Sequence, residues 1–131
     1  MRLVNLMLVI SFTFTLSCSE KPKNDDLEWK SKFVDLGEFD YGGKQQLKYE
    51  FKNLAGHSIR IKQIIPGCDC TIIDRFTSNN ITEGQSGEIN ISYDSKKGII
   101  GPFRKDLFVF FEGTKDSVVT LLYAGKVTGN K

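Results

Sequence analysis

The sequence is short of histidine and of cysteine, and it carries no charge excess of consequence. One His, His57, stands alone in 131 residues, so a multi-histidine metal cage has no material to form from. Lys and Arg number 18 against 16 Asp and Glu, a formal net charge of +2. A chain that balanced has no electrostatic case for nucleic acid or for anionic lipid. Internal repeats and low-complexity tracts are missing, and no amphipathic helical stripe exceeds about 10 residues. There is no Gly-x-Ser-x-Gly nucleophile turn, and "GKQQ" and "KKGIIG" lack the spacing of a phosphate loop. Spacing yields no nucleophile–base pair and no small-molecule substrate site. The expectation is a protein that is not an enzyme and uses no cofactor.

What is present begins at the N-terminus. Residues 3–16 form an apolar run behind Arg2 in "MRLVNLMLVISFTFTLSC". The run is shorter than the roughly 20 residues that cross a bilayer as a helix, and it has the size of the apolar region of a secretory signal. The closing "TLSC" resembles a bacterial lipobox, an aliphatic and a small residue before Cys. That resemblance implies cleavage before Cys18 and a diacylglycerol on its sulfur. "SEKPKNDD" then reads as a flexible polar tether. The expected organisation is a signal peptide over 1–17, lipidated Cys18 and tether over 18–26, and one domain over 27–131. Two or more acyl chains bind a membrane durably where one does not. The expected location is therefore the bacterial envelope, held by lipid, with Ser19 compatible with the outer membrane on its periplasmic or surface side. The expected partners are the membrane, through that anchor, and an envelope protein.

Beyond the tether the hydrophobic period is two, the mark of half-buried strands. In "LKYEFKN", Leu47, Tyr49 and Phe51 face one way while Lys48, Glu50 and Lys52 face the other. "SIRIKQII" repeats the pattern with Ile59, Ile61 and Ile65, and "EINISYD" with Ile89, Ile91 and Tyr93. "DLFVFFEG" and "VVTLLYAGKV" are apolar on both faces, so they read as central strands covered on both sides or as a hairpin beside a partner. Turn signals such as "NLAGHS", "SNNITEGQSG" and "EGTKDS" separate the runs. Short strands with almost no helix signal predict an all-β sandwich. Phe33, Phe51, Phe103, Phe108 and Phe110 are the expected aromatic core, with Trp29 seating the first strand.

The succession "FVDLGEF", "YEFKNLAG", "IPGCDCT", "ITEGQSGEINISYD", "GPFRKDLFV" and "LYAGKV" resembles the bacterial domain-of-unknown-function family 1573 over nearly the whole domain. The resemblance implies an immunoglobulin-like sandwich of seven to eight strands, similar to sperm-protein and PapD-type domains. It implies no activity, because the family carries none, and fold likeness does not transmit function.

With Cys18 assigned to lipid, the remaining thiols are Cys68 and Cys70 in "PGCDCT". As a staple they are poor: closing so short a loop stabilises by only roughly 1.6 kcal/mol on the chain-entropy model. Two residues apart on an extended strand their Cα atoms would lie about 6.6 Å from each other, near the upper limit for a disulfide. A bond between them therefore needs a local turn, which Pro66 and Gly67 can provide. Redox exchange is a second reading, opposed by the negative charge of Asp69 between the thiols. A soft-metal site for copper or zinc is a third, short of ligands. The plainest is a pair of small inward side chains or a local crosslink. The leading functional expectation is a non-enzymatic envelope lipoprotein with a binding or assembly module. Its competitor is a thiol redox or metal site at Cys68 and Cys70.

Overall fold

Strands with one apolar side are stable only when two such sides face each other. The computed structural model of the chain describes residues 25–129 and shows that arrangement. Eight strands follow in order: β1 (Leu27–Trp29), β2 (Phe33–Asp40), β3 (Lys44–Asn53), β4 (Arg60–Pro66), β5 (Thr71–Phe76), β6 (Ser86–Asp94), β7 (Gly101–Glu112) and β8 (Val118–Thr128). One 3₁₀ turn, Ser95–Lys97, lies between β6 and β7. The strands form two four-stranded sheets, ordered β1-β3-β6-β5 and β2-β8-β7-β4. All neighbours are antiparallel except β2 and β8, which run parallel. The fold is an immunoglobulin-like β-sandwich. Among the described residues no helix is long and apolar enough to cross a membrane.

The core follows the period-two pattern. Leu47, Tyr49 and Phe51 of β3 are buried, as are Ile89, Ile91 and Tyr93 of β6. They meet Phe103, Leu107, Val109 and Phe111 of β7 and Leu121, Tyr123 and Val127 of β8. Tyr93 stacks on Phe103 with ring centroids 4.3 Å apart, and Trp29 packs on Phe51 at 4.8 Å. Trp29 thus seats the first strand, as its place in the sequence predicts. Such aromatic pairs add about 0.5–1.5 kcal/mol each beyond the area they bury.

Two sequence-based expectations change. Ile65 points outward and is 40% exposed, while Ile59 and Ile61 are buried. The cause is a register irregularity between Ile61 and Gln63 in the pairing of β4 with β7. One extra residue reverses every later side chain, so Ile64 turns inward and Ile65 outward. Phe33, Phe108 and Phe110 also leave the expected core. Phe33 is 44% exposed and the other two are half-buried on the outer side of their sheet. The alternation along β7 places Phe111 inside instead.

The two ends of the sandwich differ. At one end Asn53, wholly buried, donates to the carbonyls of His57 and Ile81 and accepts from Ala55 N–H. That full satisfaction is why an amide is tolerated there. Asp26 joins the same end: its carbonyl accepts from Leu54 N–H at 2.8 Å and its carboxylate from Lys115 N–H. At the opposite end Asp94 caps the 3₁₀ turn by accepting from Lys96 N–H at 3.0 Å. Strand β3, at about 3.3 Å per residue, sets the separation of the ends at roughly 30 Å.

Buried rings make the fold sensitive to alkali. Burial raises the pKa of Tyr49 and Tyr93 and pushes Tyr123 up to about 12, the last despite a hydrogen bond to Thr71 that acts the other way. The fold binds the neutral phenols, so their contribution is complete below the unfolded value of 10.0 and is lost as pH climbs towards 12. Phenolate absorbance from these rings should therefore appear together with loss of the β-sheet circular dichroism. Phenolate formed by them in a still-folded chain would contradict this. On β4, Ile61→Ala should cost about 2–5 kcal/mol. Ile65→Ala should cost less than about 1 kcal/mol, both read from urea unfolding.

Candidate functional site

The thiol pair lies where the chain leaves one sheet for the other. β4 ends at Pro66, and Gly67 N–H donates to the Asp106 carbonyl of β7 at 3.0 Å. A side chain at Gly67 would overlap the Asp106 carboxylate and crowd the Asp106 carbonyl, so the carboxylate would have to move aside. The chain then turns through residues 68–70 and starts β5 at Thr71. Cys68 and Cys70 are joined by a disulfide, their Cα atoms 5.2 Å apart. This is shorter than the extended-strand distance, as the turn makes possible. Cys70 is buried at 1% exposure, Cys68 is half-buried, and Asp69 between them is exposed.

Backbone bonds hold both sides of this bridge. Thr71 N–H donates to the Cys68 carbonyl at 3.3 Å, and Asp94 N–H to the Cys70 carbonyl at 2.8 Å. The Thr71 hydroxyl lies 3.4 Å from Cys68 Sγ and 2.5 Å from the Tyr123 hydroxyl. Tyr123, from β8 of the other sheet, is wholly buried. The result is a short polar chain, Tyr123 to Thr71 to Cys68, leading from the core to the half-buried sulfur. Thr71 follows the second Cys directly in the sequence, whereas no local pattern marks Tyr123, whose contact is made across the sheets.

Other candidates stand apart. His57 is exposed in its turn, its Nε2 2.6 Å from the Gly113 carbonyl, and it joins two loops at the Asp26 end. Among the described residues no group of three or more His, Cys, Asp or Glu side chains is placed to hold a metal ion. Sulfurs bonded to each other are not thiolate ligands, so a metal at the pair would require reduction and ligands from elsewhere. Cys18 and the expected signal peptide over 1–17 lie outside the described residues.

A second surface is the outer face of the β2-β8-β7-β4 sheet. Register places Ile65 of β4 opposite Phe108 of β7, Phe108 opposite Thr120, Phe110 opposite Val118, and Phe33 of β2 opposite Leu122 of β8. Ile65, Val118 and Phe33 are 40%, 42% and 44% exposed, and Phe108, Phe110 and Leu122 are half-buried. Apolar side chains on this face therefore come from all four strands, with Gln63 opposite Phe110, Thr120 opposite Phe108 and Asp106 opposite Leu122 among them. No described element covers it. Charges of both signs border it: Arg60 pairs with Glu112, Lys126 with Glu38, and the Arg104 guanidinium sits 6.0 Å from the Phe33 ring centre. The double-sided apolar pattern of β7 and β8 was the sequence signal for this face.

Comparison with known proteins agrees with this architecture. A protein of unknown function from Porphyromonas gingivalis W83 superposes with a TM-score of 0.67 at 15% identity, over 78% of this chain and 46% of its own. The present chain thus spans less than half of that protein. The PapD-like domain 7 of human CEP192 superposes with a TM-score of 0.60 at 10% identity, over 92% of this chain and 98% of its own. The VesB protease of Vibrio cholerae matches at 0.59 and 13% identity, over 79% of this chain and 32% of the protease. At such identities the likeness concerns the fold alone. No curated protein matches the chain. The model of the family described as "Protein of unknown function (DUF1573)" matches residues 27–127, and the chain belongs to that family.

Proposed function

We propose that this protein is a lipid-anchored, non-enzymatic component of the bacterial envelope. Its immunoglobulin-like domain serves as a binding or assembly module for an envelope protein. The observation that carries the reading is the uncovered apolar strip on the outer face of the β2-β8-β7-β4 sheet. Exposed apolar side chains are ordinary when scattered. A group of apolar side chains drawn from four strands of one face, interrupted by Thr120 and Asp106 and bordered by charge, has the character of an interaction surface. The mixed signs along its border suit a protein better than an anionic membrane, which would call for one sign.

The anchor reading rests on the leader and on Cys18, and the fold is compatible with it. The described chain starts beside Asp26, at one end of the sandwich, so a tether there would leave both sheet faces clear of the lipid. The strip would then face sideways, towards proteins at the same membrane, and shared attachment would raise their effective concentration. The Cys68–Cys70 end would lie farthest from the membrane. Ser19 is compatible with outer-membrane placement.

Two measurements test this. In the native host, Cys18 should incorporate labelled palmitate, and Cys18→Ser should abolish both label and membrane fractionation. An unlabelled chain with its start methionine intact would refute the anchor. Separately, the pair Phe33→Glu and Val118→Lys should remove at least one partner captured by in-cell crosslinking, with the melting temperature unchanged within a few degrees. An identical set of crosslinked partners would refute the role of the strip.

A further inference from the structure

We infer that the Cys68–Cys70 bridge is a thiol–disulfide exchange site, which accepts two electrons from a dithiol through attack at Cys68. The inference is independent of the anchor and of the apolar strip. Three observations carry it. The bridge spans a single residue, so it constrains the unfolded chain very little. The strands on either side are already fastened, by Gly67 N–H to Asp106, Thr71 N–H to Cys68 and Asp94 N–H to Cys70. The fold therefore does not depend on the bond, and it would hold the two thiols together after reduction, ready for the bond to re-form.

The second observation is the difference in burial between the sulfurs. Exchange requires a thiolate to reach one sulfur while the other departs. Cys70 is closed to solvent, whereas Cys68 is half-buried beside the exposed Asp69. An incoming thiolate therefore bonds to Cys68 Sγ, the Cys68–Cys70 bond breaks, and Cys70 leaves with the electron pair and takes up a proton. The second thiol of the dithiol loses its proton and attacks its own partner sulfur in the mixed disulfide. Cys68 then leaves as a thiolate and is protonated. The dithiol ends as a disulfide and the protein as two thiols.

The third observation is the polar chain behind Cys68. The Thr71 hydroxyl lies 3.4 Å from Cys68 Sγ and 2.5 Å from the Tyr123 hydroxyl, so when Cys68 departs as a thiolate Thr71 can donate to it and accept from Tyr123 in turn. The Tyr123 phenol is protonated throughout the neutral range, and burial moves its titration further away, up to about 12. Among the described residues, no hydroxyl is placed in this way against the Cys70 sulfur.

The experiment uses the full chain carrying Cys18→Ser, so that the pair alone reacts, with dithiothreitol as the dithiol probe. Alkylation and mass measurement follow reduction, and circular dichroism follows the fold. The bridge should reduce in the native chain, with the β-sheet spectrum retained, and should re-form when the probe is removed. In the Cys70→Ser background Cys68 should react with an aromatic disulfide about tenfold or more faster than Cys70 does in the Cys68→Ser background. A bridge that reduces only in denaturant, or a fold lost on reduction, would overturn the inference. Equal labelling of the two single-cysteine chains would also overturn it. The reduction arm needs no change at the pair, so it decides the matter even if a single-cysteine variant fails to fold.

Discussion

The structure depends on contact between two sheet faces that neither sheet could leave in water. Tyr49, Phe51, Ile89, Ile91 and Tyr93 on one side meet Leu107, Val109, Phe111, Leu121 and Tyr123 on the other, nearly all sealed from solvent. At about 25 cal/mol per Å² of apolar surface removed from water, such contact is the principal favourable contribution in a domain of this size. Three tyrosines in that layer add a polar condition. Tyr49 donates to the Leu122 carbonyl across the sheets at 2.7 Å, and Tyr123 shares its hydrogen bond with Thr71. The Tyr93 hydroxyl is buried without a well-formed hydrogen bond, close against Gly98, where a side chain would collide with it. The β6–β7 turn is thus shaped by what lies beneath it.

The same contact explains what remains outside. A sandwich covers one face of each sheet, and the outer faces are left to solvent or to partners. On the β1-β3-β6-β5 sheet the outer positions are charged and paired, with Glu50 between Lys30 and Lys48 and Glu88 bound by Arg75. On the other sheet apolar Phe33, Ile65, Phe108, Phe110, Val118 and Leu122 stand among the charged positions. Both sheets have equal need of an inner face, so this difference has no origin in the sandwich itself. It is the feature on which the proposed binding role rests.

The disulfide occupies a third kind of position. It sits on the link between the sheets, where the chain must turn and where backbone bonds already fix the path. A crosslink placed there adds little to folding, and its two sulfurs differ in how far they meet solvent. Thr71 and Tyr123 link its outer sulfur to the core, because the Thr71 hydroxyl beside Cys68 is hydrogen-bonded to a ring packed between the sheets.

The sequence by itself determined the fold class, the inner faces of β3 and β6, the seating of Trp29, and the isolation of the thiol pair. Alternation in steps of two encodes a buried side locally, residue by residue. The family likeness carried by "PGCDCT" and its neighbouring strands was equally legible. Only the tertiary structure decided that Ile65, Phe33, Phe108 and Phe110 face outward. A single irregularity in β4 reverses its direction, and a strand apolar on both sides does not say which side its partner sheet will take. Tertiary structure alone also placed Tyr123 behind Thr71 and buried Cys70 more deeply than Cys68. Those relations join β8 to a turn some fifty residues earlier, and a contact at that separation exists only once the sheets have closed on each other.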